Sequence, residues 1–239
     1  MRTPELIAGC AGSTCATGIK GLNRVPTPAG AAVWLLTLDF QNERLVELLQ
    51  LLPAEEQARC LRYRQPADRL RFAATRVALR QLLAERLQIP VQEVALQIDA
   101  FGKPRLANDE KLFFNLSHSG NHALIALSAQ RPVGVDIEAA GGAAAAPLAD
   151  AALRPEERRY CHRQPDKEAA AQAFFRIWSG KEAVLKALGL GIASHLQSVS
   201  VVPGLAGRYA VTLDMPAPPL QAWQLPAPAG FVAALAVLD

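Results

Sequence analysis

Apolar residues recur at helical spacing in the first half of the chain. Four leucines at positions 45, 48, 49 and 52 form one such stripe, and Pro53 ends the short helix that they predict. Residues 54–63 also have a helical pattern, and Pro66 begins a longer predicted helix because proline fits the first helical turn. Apolar side chains recur through this long helix at Leu70, Phe72, Ala73, Val77, Leu79, Leu82, Leu83 and Leu87.

Residues 1–30 lack a sustained helical or strand period. They are rich in Gly, Ala, Thr and Pro, so they offer little that a core could bury. We expect a mobile N-terminal tail here, and we expect order to begin at the strand-like run 33–38.

Short strand-like runs dominate the chain from residue 94 onward, and one long helix interrupts them at 167–188. Gly189 and Gly191 supply the stop signal of that helix. The order of strand, helices and strands occurs twice, which predicts two similarly built halves, 31–130 and 131–239. The predicted strands of this region are 94–98, 112–116, 123–128, 132–138, 198–202, 209–213 and 231–237.

The composition predicts a globular protein with an apolar core. Of the 239 residues 51% are apolar, which is enough for one large core or two modest ones. The four cysteines are scattered without a CxxC spacing, and no apolar stretch approaches the roughly 20 residues that span a bilayer. We therefore expect a cytoplasmic protein that has neither a disulfide framework nor a membrane partner.

Arginine is concentrated in one segment of the chain. Eight arginines lie between Arg59 and Arg86, although the net charge of the whole chain is only +3. Such a segment could be a solvated helix face, a nucleic-acid surface, or a place for phosphates and an acidic partner. A nucleic-acid surface needs basic residues on one face with aromatic residues or a known motif, whereas these arginines interleave with core leucines, which argues against a nucleic-acid partner.

Two carboxylates share one face of the strand predicted in the segment PVGVDIE. Alternation places Asp136 and Glu138 on the same side, together with Gly134. Neighbouring carboxylates repel each other, and a hard cation such as Mg²⁺ between them keeps both ionised. The segment therefore suggests part of a metal site, and the alternative is an exposed strand face whose acids meet water.

A polar stripe runs along the helix predicted in the segment FFRIWSGKEAVLKALG. Trp178, Glu182 and Lys186 are four residues apart, so they lie on one helical face. The glutamate suits a metal and the lysine suits a phosphate, whereas the alternative is an ordinary surface ion pair. The tryptophan indicates that this face is at least partly buried. Ser179 and Gly180 weaken the helix here, which makes a kink or loose turn conceivable.

Two turns add groups that suit an anion. The segment FFNLSHSG ends in a small-residue turn where Ser117 and His118 offer a hydroxyl and an imidazole, and the alternative is a capped turn with the histidine in solvent. In FGKPRL, Gly102 and Pro104 define a turn that leaves Lys103 available to a phosphate.

The segments FGKP, FFNLSHS, VGVDIE and WSGKEAVLK, in this order, resemble the signature of the Sfp-type 4′-phosphopantetheinyl transferases. The resemblance runs from about residue 33 to the C-terminus and includes RFAATRVALR. It implies an α+β fold of two pseudo-twofold-related halves, each a small, mostly antiparallel sheet packed with a long helix. Coenzyme A is then expected in the cleft between the halves.

The resemblance also implies roles for individual residues. Asp136, Glu138 and Glu182 match the acidic magnesium ligands of the family, and Glu182 also matches the base that accepts the serine proton. Lys186 and His118 match the residues that hold the pyrophosphate. Arg71, Lys103 and Ser117 match the family's contacts to the 3′-phosphate and adenine end of coenzyme A. Arg69 and Arg76 are neighbouring alternatives to Arg71.

The activity implied is transfer of 4′-phosphopantetheine from coenzyme A to a serine of an apo acyl or peptidyl carrier protein, with Mg²⁺ as cofactor and 3′,5′-ADP as product. Two similar halves in one chain make a monomer sufficient. Some arginines between Arg59 and Arg80 could steer an acidic carrier toward the site. The competing hypotheses are a nucleic-acid-binding module and a different magnesium-dependent enzyme of phosphate esters.

Overall fold

Two helices of 22 residues each are the longest elements of the computed structural model, α3 (Pro66–Leu87) and α5 (Lys167–Leu188). The model describes residues 21–28, 30–40, 43–99, 103–107, 112–141 and 151–239. The other helices are α1 (Glu43–Gln50), α2 (Ala54–Leu61), α4 (Pro155–His162) and α6 (Ile192–His195). The strands are β1 (Leu22–Val25), β2 (Ala32–Thr37), β3 (Leu96–Ile98), β4 (Pro104–Leu106), β5 (Phe113–Ser119), β6 (His122–Ser128), β7 (Val133–Ala139), β8 (Val199–Pro203), β9 (Tyr209–Leu213), β10 (Leu220–Leu225) and β11 (Phe231–Leu238).

Local sequence signals set the ends of both long helices. Pro66 occupies the first turn of α3, as its fixed φ favours. The Asp166 side chain caps α5 by accepting a hydrogen bond of 2.8 Å from the backbone N–H of Ala169. Gly189 ends α5 in the left-handed conformation at φ 72°, as a helix-terminating glycine does. The predicted bounds of the second long helix are therefore confirmed.

The sheets are small, and every strand pair among the described residues is antiparallel. One sheet has four strands in the order β1-β2-β6-β5, and another has three in the order β10-β11-β7. β3 pairs with β4, and β8 pairs with β9. The predicted α+β fold of small antiparallel sheets with long helices is confirmed.

The first strand among the described residues lies earlier in the chain than the sequence suggested. Leu22–Val25 pairs with β2 as an antiparallel strand, and both its end residues are buried. The expectation that all of residues 1–30 form a mobile tail is therefore wrong for this segment. Its short apolar pattern is too weak to predict a strand, and its partner strand supplies the missing stabilisation. Residues 1–20 lie outside the described residues.

Helix α5 packs directly against β7, and Gly134 makes the close approach possible. A Cβ at position 134 would lie 2.0 Å from the carbonyl oxygen of Ala183 and 2.5 Å from the backbone nitrogen of Ala187. Only a residue without a side chain leaves room for the helix backbone here. This contact places Glu182, which precedes Ala183 in α5, beside the strand that carries Asp136.

Helix α5 is continuous through Ser179 and Gly180, so the kink that the sequence allowed does not occur. Close packing explains the presence of Gly180 instead. A Cβ at position 180 would lie 2.7 Å from Val201 and 3.1 Å from the ring of Tyr209, which pack against this face of the helix. The conformational cost of a helical glycine is offset by closer packing on the sheet that these two residues belong to.

The apolar cores follow these contacts. One core lies between α3 and the four-stranded sheet, another joins β7 and β11 to the inner strands of that sheet, and a third lies under α5. Cys60 and Cys161 are both buried free thiols. None of the helices in the described part of the chain is long and apolar enough to cross a membrane.

Gly134→Ala should destabilise the fold by at least about 3 kcal/mol, because the new methyl group cannot avoid helix backbone. Gly141→Ala is the matched control, since a Cβ at that position meets nothing within 4 Å. Urea unfolding followed by circular dichroism measures both free energies of unfolding. Equal stability of the two variants would contradict this account of the α5–β7 contact.

Candidate active site

Three carboxylates converge where α5 crosses β7. Asp136, Glu138 and Glu182 each offer an oxygen, and these oxygens all lie within 4.8 Å of one another. Asp136 is 1% exposed, so it does not lie on a strand face that meets water. The predicted convergence of these three acids is present in the structure, and the alternative of an exposed acidic strand face is wrong for Asp136.

Lys186 joins the acidic cluster from the next turn of α5. Its Nζ donates to Asp136 Oδ1 at 2.6 Å and lies 3.2 Å from Glu182 Oε2. The same ammonium donates to the hydroxyl of Ser117 at 3.2 Å. Lys186 is therefore part of a partly buried network that joins three elements, and the alternative of an ordinary surface pair is wrong.

Polar groups of neighbouring elements hold the two carboxylates of β7. Ser117 donates its hydroxyl to Asp136 Oδ1 at 2.7 Å. Ser119 donates to Glu138 Oε2 at 3.1 Å, and the indole N–H of Trp178 donates to Glu138 Oε1 at 3.3 Å. Asp136 Oδ2 is buried and accepts no hydrogen bond. One carboxylate oxygen is thus left without a partner at the centre of the cluster.

Burial and mutual repulsion raise the pKa values of two of the acids. Desolvation, followed by the negative charge of Asp136, raises the pKa of Glu182 to about 7, although Lys186 opposes the shift. The same two causes raise the pKa of Glu138, against the hydrogen bonds from Ser119 and Trp178. Burial and the neighbouring acids therefore make the carboxylate of Glu182 more basic than that of an ordinary glutamate.

The charge of Lys186 is set by its acidic neighbours. Burial disfavours its ammonium form, but the charges of Asp136 and Glu182 outweigh burial and raise its pKa. Lys186 is accordingly a fixed positive charge. Three carboxyl groups therefore face one ammonium group in the cluster.

The residues fit a divalent cation. All three candidate ligands are hard carboxylate oxygens, which select Mg²⁺ and similar ions over softer metals. The unpartnered Asp136 Oδ2 has no protein donor within reach, and a cation would satisfy it. The structure thus supports a cation site formed by Asp136, Glu138 and Glu182.

His118 and Arg71 lie together at the end of β5, on the other side of the strand from Ser117. Arg71 donates two hydrogen bonds, of 3.1 and 3.0 Å, to the carbonyl oxygen of Gly120, and it also pairs with Asp68. His118 is exposed. Partial desolvation lowers its pKa, and the positive charges of Arg71 and Lys186 act in the same direction. An anion bound here would reverse this effect and favour the charged imidazole.

Lys103 connects the β4 hairpin to α5. Its Nζ donates to the backbone carbonyl of Lys186 at 2.9 Å, which brings the two lysines close together. Desolvation, and then the positive charge of Arg105, lower the pKa of Lys103 to about 8. The predicted turn residue Gly102 lies outside the described residues.

Arg76 lies buried against α2, and its predicted contact with coenzyme A stays a prediction. Its guanidinium is 3.4 Å from Glu56 and stacks over the ring of Phe72, and the residue is only 5% exposed. Arg71 and Arg76 are five residues apart, so they point to different faces of α3. Arg76 therefore stabilises the contact between α2 and α3.

Ser117 contacts the acidic cluster, and its predicted role at the adenine end of a ligand stays a prediction. Its hydroxyl donates to Asp136 and accepts from Lys186 and from the backbone N–H of Ile137. One donor and two acceptor positions are all that a hydroxyl has. In this structure the hydroxyl of Ser117 therefore makes all the hydrogen bonds that it can form, and all of them are to groups of the protein.

Sequence reasoning missed the buried ion pair next to Glu182. Lys181 and Glu157 are both fully buried, and their charged groups are 2.7 Å apart. Lys181 also donates to the carbonyl of Ala152, and Glu157 accepts the backbone N–H of Val201. The pair fastens α5 to α4 and β8 at the turn that carries Glu182. The available signal was Lys181 within an otherwise mostly apolar stretch of α5, whereas Glu157 lies in the polar segment PEERRYCH and gave no such signal.

Two family models match the chain. One is described as the 4′-phosphopantetheinyl transferase superfamily and covers residues 132–236. The other is described as the N-terminal part of 4′-phosphopantetheinyl transferases and covers residues 40–130. Together they span both predicted halves of the chain.

Individual relatives agree with the family models. The 4′-phosphopantetheinyl transferase HetI of Nostoc sp. is 37% identical over 165 residues, which are 67% of this chain and 69% of that protein. The 4′-phosphopantetheinyl transferase psf-1 of Bacillus pumilus is 31% identical over 169 residues, or 70% of this chain and 71% of that protein. A Synechocystis relative is 38% identical over 152 residues, which are 61% of its own length. The chain belongs to the 4′-phosphopantetheinyl transferase family, and the Sfp-type resemblance is confirmed.

Lys181→Met should lower the free energy of unfolding by about 3–5 kcal/mol, because it leaves Glu157 as a buried carboxylate without its counter-charge. The double variant Lys181→Met/Glu157→Gln should be more stable than the single variant, since the orphaned charge is removed. Urea unfolding measures both. Equal destabilisation of single and double variants would mean that the charge pair does not fasten α5.

Proposed function

We propose that this protein transfers the 4′-phosphopantetheine group of coenzyme A to a serine of an apo acyl or peptidyl carrier protein and releases 3′,5′-ADP. The observation that carries this proposal is the convergence of Asp136, Glu138, Glu182 and Lys186 at one point. Such a cluster suits a diphosphate held through a divalent cation, and the chain belongs to a family named for this transfer.

The bond changes define what the site must do. The serine oxygen forms a bond to the β-phosphorus of coenzyme A, and the bond from that phosphorus to the oxygen of the leaving 3′,5′-ADP breaks. The serine proton needs an acceptor, and negative charge on the leaving diphosphate oxygen needs a positive partner.

The chain supplies both groups. In this proposal Glu182 accepts the serine proton, because burial and the charge of Asp136 raise the pKa of its carboxyl above that of an ordinary glutamate when no cation is bound. Lys186 provides a fixed positive charge to the diphosphate, and His118 adds a second one once an anion favours its protonated form. Mg²⁺, held by Asp136, Glu138 and Glu182, would supply Lewis-acid polarisation of the diphosphate oxygens.

In this proposal Arg71 and Lys103 bind the nucleotide end of coenzyme A. Arg71 is anchored at Gly120 beside His118, and Lys103 is anchored at the backbone of Lys186, which supports a role for both in binding phosphate. The two sides of the cleft would then come from the two halves of one chain, 31–130 and 131–239, related by a pseudo-twofold axis. A monomer would be sufficient for activity.

The carrier protein would approach from the arginine-rich side of the first half. Arg59, Arg62 and Tyr63 line a shallow cleft on this surface. A basic cleft of this kind supports docking of a small acidic domain, since complementary charge steers encounter. The identity of the carrier decides whether the protein serves fatty acid, polyketide or nonribosomal peptide synthesis.

Intact-mass measurement of several apo carrier proteins tests the activity. Incubation with this protein, coenzyme A and Mg²⁺ should add one phosphopantetheine to a carrier, and 3′,5′-ADP should appear only when an apo carrier is present. Release of 3′,5′-ADP without a carrier would indicate a hydrolase of phosphate esters instead.

Asp136→Asn and Glu182→Gln should each slow the transfer by at least about 100-fold, because one loses a cation ligand and the other the proton acceptor. Removal of divalent cations with EDTA should have a similar effect on the unmodified protein. Glu47→Gln, on the exposed side of α1, is the control and should retain full activity. Full activity of either site variant, with the fold verified by thermal unfolding, would exclude the assignment.

The affinity for coenzyme A should fall as pH rises through about 8. The free Lys103 ammonium loses its proton near this pH, and a bound phosphate interacts favourably only with the charged form. Calorimetric titration from about pH 7 to about pH 9 should show this step in the unmodified protein and in the control Lys167→Met, but not in Lys103→Met. The same step in Lys103→Met would assign the titration to another group.

A further inference from the structure

The edge strands of the two larger sheets, β5 and β7, are joined by side chains. Asn115 Oδ1 accepts the backbone N–H of Val135 at 2.9 Å. Ser117 Oγ accepts that of Ile137 at 3.3 Å, and Ser119 Oγ accepts that of Ala139 at 3.1 Å. The separation in sequence is 20 residues in all three contacts, so β5 and β7 run parallel and in register. Side-chain oxygens of β5 thus take the place of the backbone carbonyls of a neighbouring strand. We call this set of contacts the side-chain ladder.

Two steps of the side-chain ladder have a second contact that the third step lacks. Ser117 and Ser119 each donate their proton to the acid one residue earlier in β7, Asp136 and Glu138 respectively. The backbone N–H from β7 occupies a lone pair of each hydroxyl, which leaves the proton to point at the carboxylate. At the step of Asn115 the equivalent position is Gly134, which has no carboxylate to hold.

We propose that Ser117 and Ser119 are positioning residues that set the carboxylates of Asp136 and Glu138 for a divalent cation, so that the cation site is complete only when the two sheets meet. This inference rests on the proposed function, since it assumes that the three acids bind a cation. Hydrogen bonds to ligating carboxylates fix their orientation, and losing one typically costs 10–100-fold in metal affinity.

Ser119 offers the cleaner test, because it lies half-buried at the end of β5 whereas Ser117 is buried. Ser119→Thr keeps the hydroxyl. Ser119→Val has the shape of the threonine variant but lacks the hydroxyl. The full-length protein is titrated with Mn²⁺ and free ion is followed by electron paramagnetic resonance, with and without coenzyme A. Ser119→Val should bind Mn²⁺ at least about 10-fold more weakly than the unmodified protein. Ser119→Thr should recover most of the affinity.

Asn115→Ala separates positioning from mere docking of the two sheets. It removes a step of the side-chain ladder that touches no carboxylate, so it should lower the thermal unfolding temperature without changing the affinity of the folded protein for Mn²⁺. If Ser119→Val does not fold, Ser119→Ala removes the same hydroxyl with a smaller side chain.

Three results would overturn the inference. The first is that Ser119→Val and Ser119→Ala both bind Mn²⁺ with the same affinity as the unmodified protein. The second is an equal loss of affinity in Asn115→Ala, which would make sheet docking the cause. The third is an unmodified protein that binds no Mn²⁺ under either condition, which would also remove the cation site from the proposed function. The first two results leave the proposed function intact.

Discussion

Repulsion among Asp136, Glu138 and Glu182 is the constraint on which the site depends. Their nearest oxygens lie within 4.8 Å, and two unit charges at that distance repel each other by roughly 3 kcal/mol at an effective dielectric constant of about 20. The structure meets this repulsion with Lys186 and with hydrogen bonds from Ser117, Ser119 and Trp178, but the acids remain in excess. Acids grouped in this way fit a divalent cation, and the unpartnered Asp136 Oδ2 is an oxygen that such a cation could satisfy.

The surrounding fold is what keeps these acids from separating. Contact of the α5 backbone with Gly134 fixes the distance between the helix and β7, and the Lys181–Glu157 pair fastens the same turn of the helix from its other side. The side-chain ladder then fixes β7 against β5. Stability and chemistry are therefore coupled, since each contact that brings an acid into the cluster also joins two elements of the core.

The elements that the sequence predicted well are those whose pattern is local. The period of α5, its capping Asp166 and its terminal Gly189 lie within the helix or next to it, and the four-residue spacing of Glu182 and Lys186 needs only that helix. Alternation along β7 likewise places Asp136 and Glu138 on one side. The prediction that Glu182 of α5 meets the acids of β7 came from the family resemblance. The periodicity of either element alone does not reveal it.

The features that the sequence did not predict depend on non-local contacts. Arg76 belongs to an arginine-rich helix, and only the position of Glu56 on α2 shows that its face is buried away from the acids. The role of Ser117 depends on β7 lying beside β5, which no local pattern reveals. Strand β1 was missed for a similar reason, because four residues with two buried positions form a strand only when β2 is present.

Crystals grown with coenzyme A and Mn²⁺ test the central claim most directly, since anomalous scattering locates the ion without any assumption about its ligands. The account predicts one anomalous peak in contact with oxygens of Asp136, Glu138 and Glu182 and with the diphosphate. A bound coenzyme A whose Mn²⁺ lies elsewhere, or three carboxylates with no peak between them, would contradict it.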